Sequence, residues 1–172
     1  MSPNPAWVIR TARLALTPVG PADLPELVAL KADPRVYAIM LGGVRHPART
    51  AEELAEEIAF WAAHGCGIWT VRNAASGRFL GITGFMERPD GRGIALRFAL
   101  VAGAQGRGVA REAAGAALRF GHDRAGLARI VAVARESNFA SRTVLGGIGM
   151  IERERFVQEG HVMVLYESSR AD

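Results

Sequence analysis

The chain has 172 residues, 49% of them hydrophobic and 22% charged, with a formal net charge of +4. That length and balance suit one domain with one sizeable core, and they exclude a disordered chain. No apolar run approaches the roughly 20 residues that a membrane helix needs, and Met1 to Arg13 lacks the apolar centre of a secretory signal.

One cysteine, Cys66, cannot close an internal disulfide, and no Cys/His cluster has metal spacing. The expectation is therefore a single domain over residues 1–172, in a reducing cytoplasm, with no bound metal. The basic residues are nearly all arginine and lie scattered, without interleaved aromatics. They read as surface charge with a few reserved for a phosphorylated ligand. Neither a membrane nor a specific nucleic acid is an expected partner.

Leu14 to Pro18 alternates apolar and polar residues and predicts a first strand. Gly20-Pro21-Ala22-Asp23 opens a helix with Leu24, Leu27 and Leu30 on one face, and Asp33-Pro34 stops it. Thr50-Ala51-Glu52-Glu53 has the form of a capping box. The helix it starts runs through Leu54, Ile58 and Trp61 to Gly65. Phe60, Trp61, Tyr37 and Met40 fall on these early helices and read mainly as core, and Trp7 and Trp69 as packing.

Ile68 to Asn73, Phe79 to Glu87 and Ile94 to Val101 are three strands joined by Ala74-Ala75-Ser76-Gly77 and Pro89-Asp90-Gly91. A helix is expected from Gly108 to about Ala125, with Val109, Ala113, Ala117 and Phe120 on its packed face. Arg129 to Ala134 is a buried strand, and Asn138 to Ile148 a short helix. Strands at Ile151 to Val157 and His161 to Tyr166 close the chain. This order gives a mixed α/β sandwich and not a doubly wound sheet.

Between the third central strand and the long helix lies Gln105-Gly106-Arg107-Gly108-Val109-Ala110. Strand, glycine-rich turn and helix together make a seat for a phosphate. Glycines let successive N–H groups face one anion, and the helix adds its positive end. A Walker A loop needs G-K-[ST], and the single lysine, Lys31, is far away. A dinucleotide loop needs a third glycine where Arg111 stands.

The spacing Q-x-x-G-x-A resembles the acyl-CoA pyrophosphate loop of the GNAT N-acetyltransferase superfamily. Three further segments extend the likeness. Thr11-Ala12-Arg13-Leu14-Ala15-Leu16, with Asp33-Pro34-Arg35-Val36, is similar to the RimJ/RimL branch, which acetylates ribosomal-protein N-termini. Gly67-Ile68-Trp69-Thr70-Val71 and Gly81-Ile82-Thr83-Gly84 resemble its paired central strands. Asn138-Phe139-Ala140-Ser141, then Val144-Leu145 and Gly149-Met150, is similar to its N-x-x-S-x-x-V-L segment.

The resemblance implies a mostly antiparallel sheet of about seven strands with about four helices. It also implies acetyl-CoA as co-substrate and a primary amine as acceptor, first of all a protein N-terminal α-amine. Gln105, Gly106, Arg107, Gly108, Val109 and Ala110 would hold the pyrophosphate, and Phe98, Ala99 and Leu100 would pair with the pantetheine arm. Asn138 would meet that arm farther along and Ser141 would lie near the sulfur. Arg107, Arg111 and Arg142 could reach CoA phosphates. Two departures stand out. The run Ala95-Leu96-Arg97-Phe98 replaces the E-x-G-Y pattern of many relatives, and Leu145 stands where many carry a tyrosine acid.

Acyl transfer to an amine needs a neutral amine, donors for the carbonyl oxygen and a tolerated thiolate. A terminal α-amine titrates near 8 against about 10.4 for lysine, so a weak base suffices and the missing glutamate is survivable. Glu87, Asp90 and His64 are candidate bases, Glu87 foremost. A backbone N–H near Phe98 to Leu100 is the candidate oxyanion donor, and Ser141 the candidate proton source for the thiolate. Cys66 reads as a small buried hydrophobe and not as a nucleophile. A small-molecule amine acetyltransferase and a non-catalytic CoA-binding module are the alternatives. Nothing in the sequence demands a homodimer.

Overall fold

The computed structural model describes residues 3–170. One eight-stranded sheet runs through it in the order β1-β2-β3-β4-β5-β6-β8-β7. The strands are β1 (Ile9–Arg10), β2 (Leu14–Pro18), β3 (Ile68–Asn73), β4 (Phe79–Glu87), β5 (Ile94–Leu100), β6 (Arg129–Arg135), β7 (Ile151–Gln158) and β8 (His161–Ser169). The α-helices are α1 (Leu24–Ala32), α2 (Pro34–Tyr37), α3 (Pro47–His64), α4 (Val109–Asp123) and α5 (Phe139–Gly147). The mixed α/β fold and its mostly antiparallel sheet are as the sequence suggests, with one more strand and one more helix.

Both extra elements are short. β1 is a two-residue pairing of Ile9 with Leu16 and Arg10 with Ala15. Asp33-Pro34 does end α1, but the Asp33 side chain then accepts from the Arg35 N–H and caps the single turn of α2. The capping-box expectation at Thr50 fails. Pro47 supplies the fixed φ of a first helical position, so α3 starts four residues earlier, capped by His46. Thr50 is buried inside the helix, and Glu53 turns to other partners.

α4 packs on one face of β4, β5 and β6. Its run Ala113-Ala114-Gly115-Ala116-Ala117 is entirely buried, and these small side chains let the helix approach the sheet closely. Trp69, Phe85 and Phe120 meet there edge to face, with Trp61 from α3 against Trp69 at 4.9 Å. Trp7 stacks on Trp61 at 4.9 Å. Gly67 makes room for that indole, because a Cβ there would lie 2.6 Å from its ring. The Trp61 Nε1 then donates to the Ile68 carbonyl at 2.7 Å. Cys66 is fully buried beside it, and burial pushes its thiol up to about 11, so it packs as a hydrophobe.

Every neighbouring pair of strands is antiparallel except β5 and β6. Those two are parallel and share a single register pair, Ala95 with Val131. Beyond that pair they diverge.

Candidate active site

The divergence of β5 and β6 leaves backbone groups without a strand partner. Consecutive residues of a strand direct their N–H and C=O to opposite neighbours. The Val101 N–H donates to Leu80 of the β4 side at 2.9 Å, and β4 pairs along all of β5. Arg97 and Ala99 therefore bond toward β4, while Phe98 and Leu100 present their N–H groups to the gap. Of the three residues expected to meet an extended arm, Phe98 and Leu100 turn their N–H groups to the gap and Ala99 does not.

The gap runs into the glycine turn. Gln105 anchors the turn by donating from Nε2 to the Leu100 carbonyl at 3.3 Å. Gly106 and Gly108 both take left-handed backbone, φ +78° and +76°, a conformation that costs any side-chain residue. Space beside Gly106 is open, with nothing within 4 Å of where a Cβ would stand. Gly108 then caps α4 without any side-chain partner, so the first N–H groups, from Val109 and Ala110 on, remain available. Val109 itself turns its side chain into the core.

The turn is braced from outside. Arg13 donates from Nε to Glu112 at 2.7 Å and from Nη1 to the Arg107 carbonyl at 2.9 Å. Thr11 donates to the same Glu112 carboxylate. Burial raises the Glu112 carboxyl, but the bonds from Thr11 and Arg13 outweigh that and hold it below its ordinary value. The T-x-R segment thus serves the loop. Arg107 and Arg111 are exposed. Arg142 is not free to reach a phosphate, because it is bound to the Tyr166 hydroxyl at 3.0 Å and the Glu136 carbonyl at 2.9 Å.

A cavity of about 180 Å³ opens on the opposite sheet face from α4. Ile82 and Met86 of β4 and Ala95 and Arg97 of β5 form its floor, and α1, α2 and α3 contribute Lys31, Tyr37 and Glu57 above it. Asn138 and Ser141 line its far end, with Leu145, which is buried. Asn138 caps α5 by accepting from the Ser141 N–H at 3.2 Å, and the Ser141 hydroxyl, at the cavity, has no hydrogen-bond partner among the described residues.

Glu87 does not reach this cavity. Alternation along β4 sends Ile82 and Met86 to the cavity, while Phe85 and Glu87 go to the other face, where Glu87 is exposed. Asp90 is also committed. Arg88 holds it at 2.7 Å and Arg92 at 2.8 Å, and these bonds, led by Arg88, keep its carboxyl well below the usual range. His64 is exposed and stacks on Phe60 at 4.1 Å.

The acidic groups at the cavity come instead from α3. Lys31 Nζ lies 3.1 Å from Glu57 Oε1 and 3.2 Å from Glu53 Oε1, and Arg45 Nε lies 3.2 Å from Glu53 Oε2. Burial lowers the Lys31 ammonium, but Glu57, Tyr37 and Glu53 together leave it above its ordinary value. Glu53 is burdened by burial too, yet Lys31 and Arg45 bring it below the usual range. Glu57 differs. It is 4% exposed, its Oε2 has no hydrogen-bond partner among the described residues, and burial outweighs Lys31 to raise its carboxyl. Glu57 is absent from the base candidates named above. The signal was a glutamate four residues before Trp61, on the apolar stripe of an amphipathic helix.

Among the described residues no helix is long and apolar enough to cross a membrane, and no group of three His, Cys, Asp or Glu is arranged for a metal.

A sequence profile described as an acetyltransferase (GNAT) domain matches residues 13–151. An acetyltransferase from Agrobacterium tumefaciens superposes with a TM-score of 0.84 at 26% identity, covering 95% of this chain and 94% of that one. The acetyltransferase from Salmonella typhimurium that modifies the N-terminal serine of L7/L12 has a TM-score of 0.78 at 18% identity, covering 95% and 99%. A RimL α-N-protein acetyltransferase in complex with coenzyme A gives 0.78 at 17%, covering 95% and 98%. No curated protein matches the chain in sequence.

Proposed function

The chain belongs to the GNAT acetyltransferase family, and from that premise we propose that it moves the acetyl group of acetyl-CoA onto a protein N-terminal α-amine. We read residues 1–172 as one such domain, working in the cytoplasm. The observation that carries the proposal is the continuity of three features: the β5/β6 gap, the left-handed glycine turn and the uncapped start of α4. A strand-like arm followed by a diester anion fits that sequence of donors.

Bound acetyl-CoA supplies the activated thioester, which an amine can attack directly. The Phe98 and Leu100 N–H groups hold the arm, and one of them donates to the carbonyl oxygen as charge develops there. A single such donor contributes about 3–4 kcal/mol. Asn138 fixes the start of α5 and so the place of Ser141, whose hydroxyl hands a proton to the departing sulfur. Glu57 takes the proton of the amine, directly or through a water, in place of the exposed Glu87. Its raised carboxyl sits closer to the α-amine range than an ordinary glutamate does.

An α-amine is the favoured acceptor because its own low pKa reduces what the base must do. The likeness in fold to acetyltransferases of ribosomal-protein N-termini supports the same class. Thiol release from acetyl-CoA, measured over peptides with free and blocked N-termini and over small amines, tests this. Release that depends on a free peptide N-terminus is the expected result. Thermal stabilisation by CoA without release on any amine would leave only a binding module.

A further inference from the structure

We infer that the acceptor carries a carboxylate near its reacting amine, and that Arg97 is the residue that selects it. This rests on the amine-transfer reading above and names its substrate class.

Arg97 projects from β5 on the cavity face, two residues after the Ala95 register pair with Val131. Its guanidinium makes no hydrogen bond and no ion pair with any described residue. The other cations of the upper cavity are all engaged: Lys31 by Glu53 and Glu57, Arg45 by Glu53, and Arg88 by Asp90 and Gln158. Arg135 on β6 lies on the same sheet face as Val131, lines the same cavity, and also lacks a side-chain partner among the described residues. Two guanidiniums therefore stand uncompensated on the cavity floor, while the carboxylates above them are largely spent on Lys31 and Arg45.

Arg97 is exposed at the open cavity and Arg135 half-buried, so both can meet an entering ligand, and a guanidinium's fork of donors matches a carboxylate in two parallel bonds. The anion is not the cofactor's diester, because the Gln105 to Ala110 turn does not line this cavity. With Glu57 Oε2 unpartnered above and Arg97 below, the cavity has opposite poles, suited to an amine and a carboxylate on one small acceptor group.

Calorimetric titration of the CoA-bound protein tests this in two arms. One compares alanine with alaninamide, the other the peptide amides Ala-Asp-Gly and Ala-Asn-Gly. Wild type is expected to bind the acidic member at least tenfold more tightly in one arm, and that arm identifies whether the anion is the α-carboxylate or an acidic side chain. Arg97→Ala should remove the preference, Arg97→Lys should keep only part of it, because an ammonium keeps the charge but not the fork, and Arg97→Glu should turn it toward Ala-Lys-Gly. Unchanged CoA affinity in each variant confirms the fold. Equal affinities in both arms, no binding in either, or a preference that survives Arg97→Ala would overturn the inference. Charge-selective binding without thiol release would instead sink the transfer reading and leave this selection standing.

Discussion

Arg13 and Glu112 form a brace between the start of β2 and the first turn of α4, 2.7 Å apart, and the same guanidinium holds the Arg107 carbonyl. The glycine turn is thus fixed by residues almost a hundred positions away in the chain. The pair is partly exposed, 48% and 21%, so its direct contribution to stability is small, about 0.2–1 kcal/mol. Its larger effect is on the order of the turn. Glu112→Gln should raise the KM for acetyl-CoA several-fold with little change in kcat. The Glu112 carboxyl is held below its ordinary value, so its stabilisation exists above about pH 4.5 and disappears as pH falls through the lower folded value. Melting curves of wild type and variant should therefore converge in acid. A constant gap at all pH values would contradict the brace.

Gly108→Glu should abolish acetyl-CoA binding. The left-handed φ of +76° charges any side chain about 1–2 kcal/mol, and a carboxylate there would repel the diester. Gly108→Ala separates the two effects, since it carries the strain without the charge. Calorimetry should find weakened binding in the alanine variant and none in the glutamate variant. Wild-type affinity in Gly108→Glu would remove the turn from the cofactor site.

Ser141→Ala should lower turnover by about 10- to 100-fold, within the range of a lost proton donor, while CoA affinity holds. The Asn138 cap uses the Ser141 backbone N–H and survives the change, so the helix start remains. Turnover equal to wild type would exclude the hydroxyl from the reaction.

Glu57→Gln should cut kcat by about 10²-fold or more and flatten the rising limb of the pH profile. The folded protein holds this carboxyl above its unfolded value, so the sign for stability is the reverse of that for Glu112. Its contribution is complete below about pH 4.5 and is lost as pH rises through the folded value. The glutamine variant should lose less stability between acid and neutral pH than wild type. A steeper loss in the variant would show that Glu57 is ionised and needed by Lys31.

Much of this protein could be read along the chain. The three central strands, the long helix and the Asn138 helix start were legible because turn residues and hydrophobic period act over a few neighbours. The glycine turn was legible for the same reason, since its backbone conformation is a local demand. The capping box at Thr50 misled because Pro47 and His46 offered an earlier start to the same helix.

The cavity under α1, α2 and α3 is another matter. Lys31, Glu57 and Arg97 line one cavity only because α1 packs on β4, α2 on β5 and α3 against α1, and no local rule brings positions from separate elements together. Glu87 shows the limit from the other side. One step of strand alternation, referred to a face the sequence cannot label, turned the favoured base away from the chemistry. Local backbone preference determined the left-handed turn before α4, because each glycine's φ is set by its own residue, and three-dimensional packing decided which charges share the cavity.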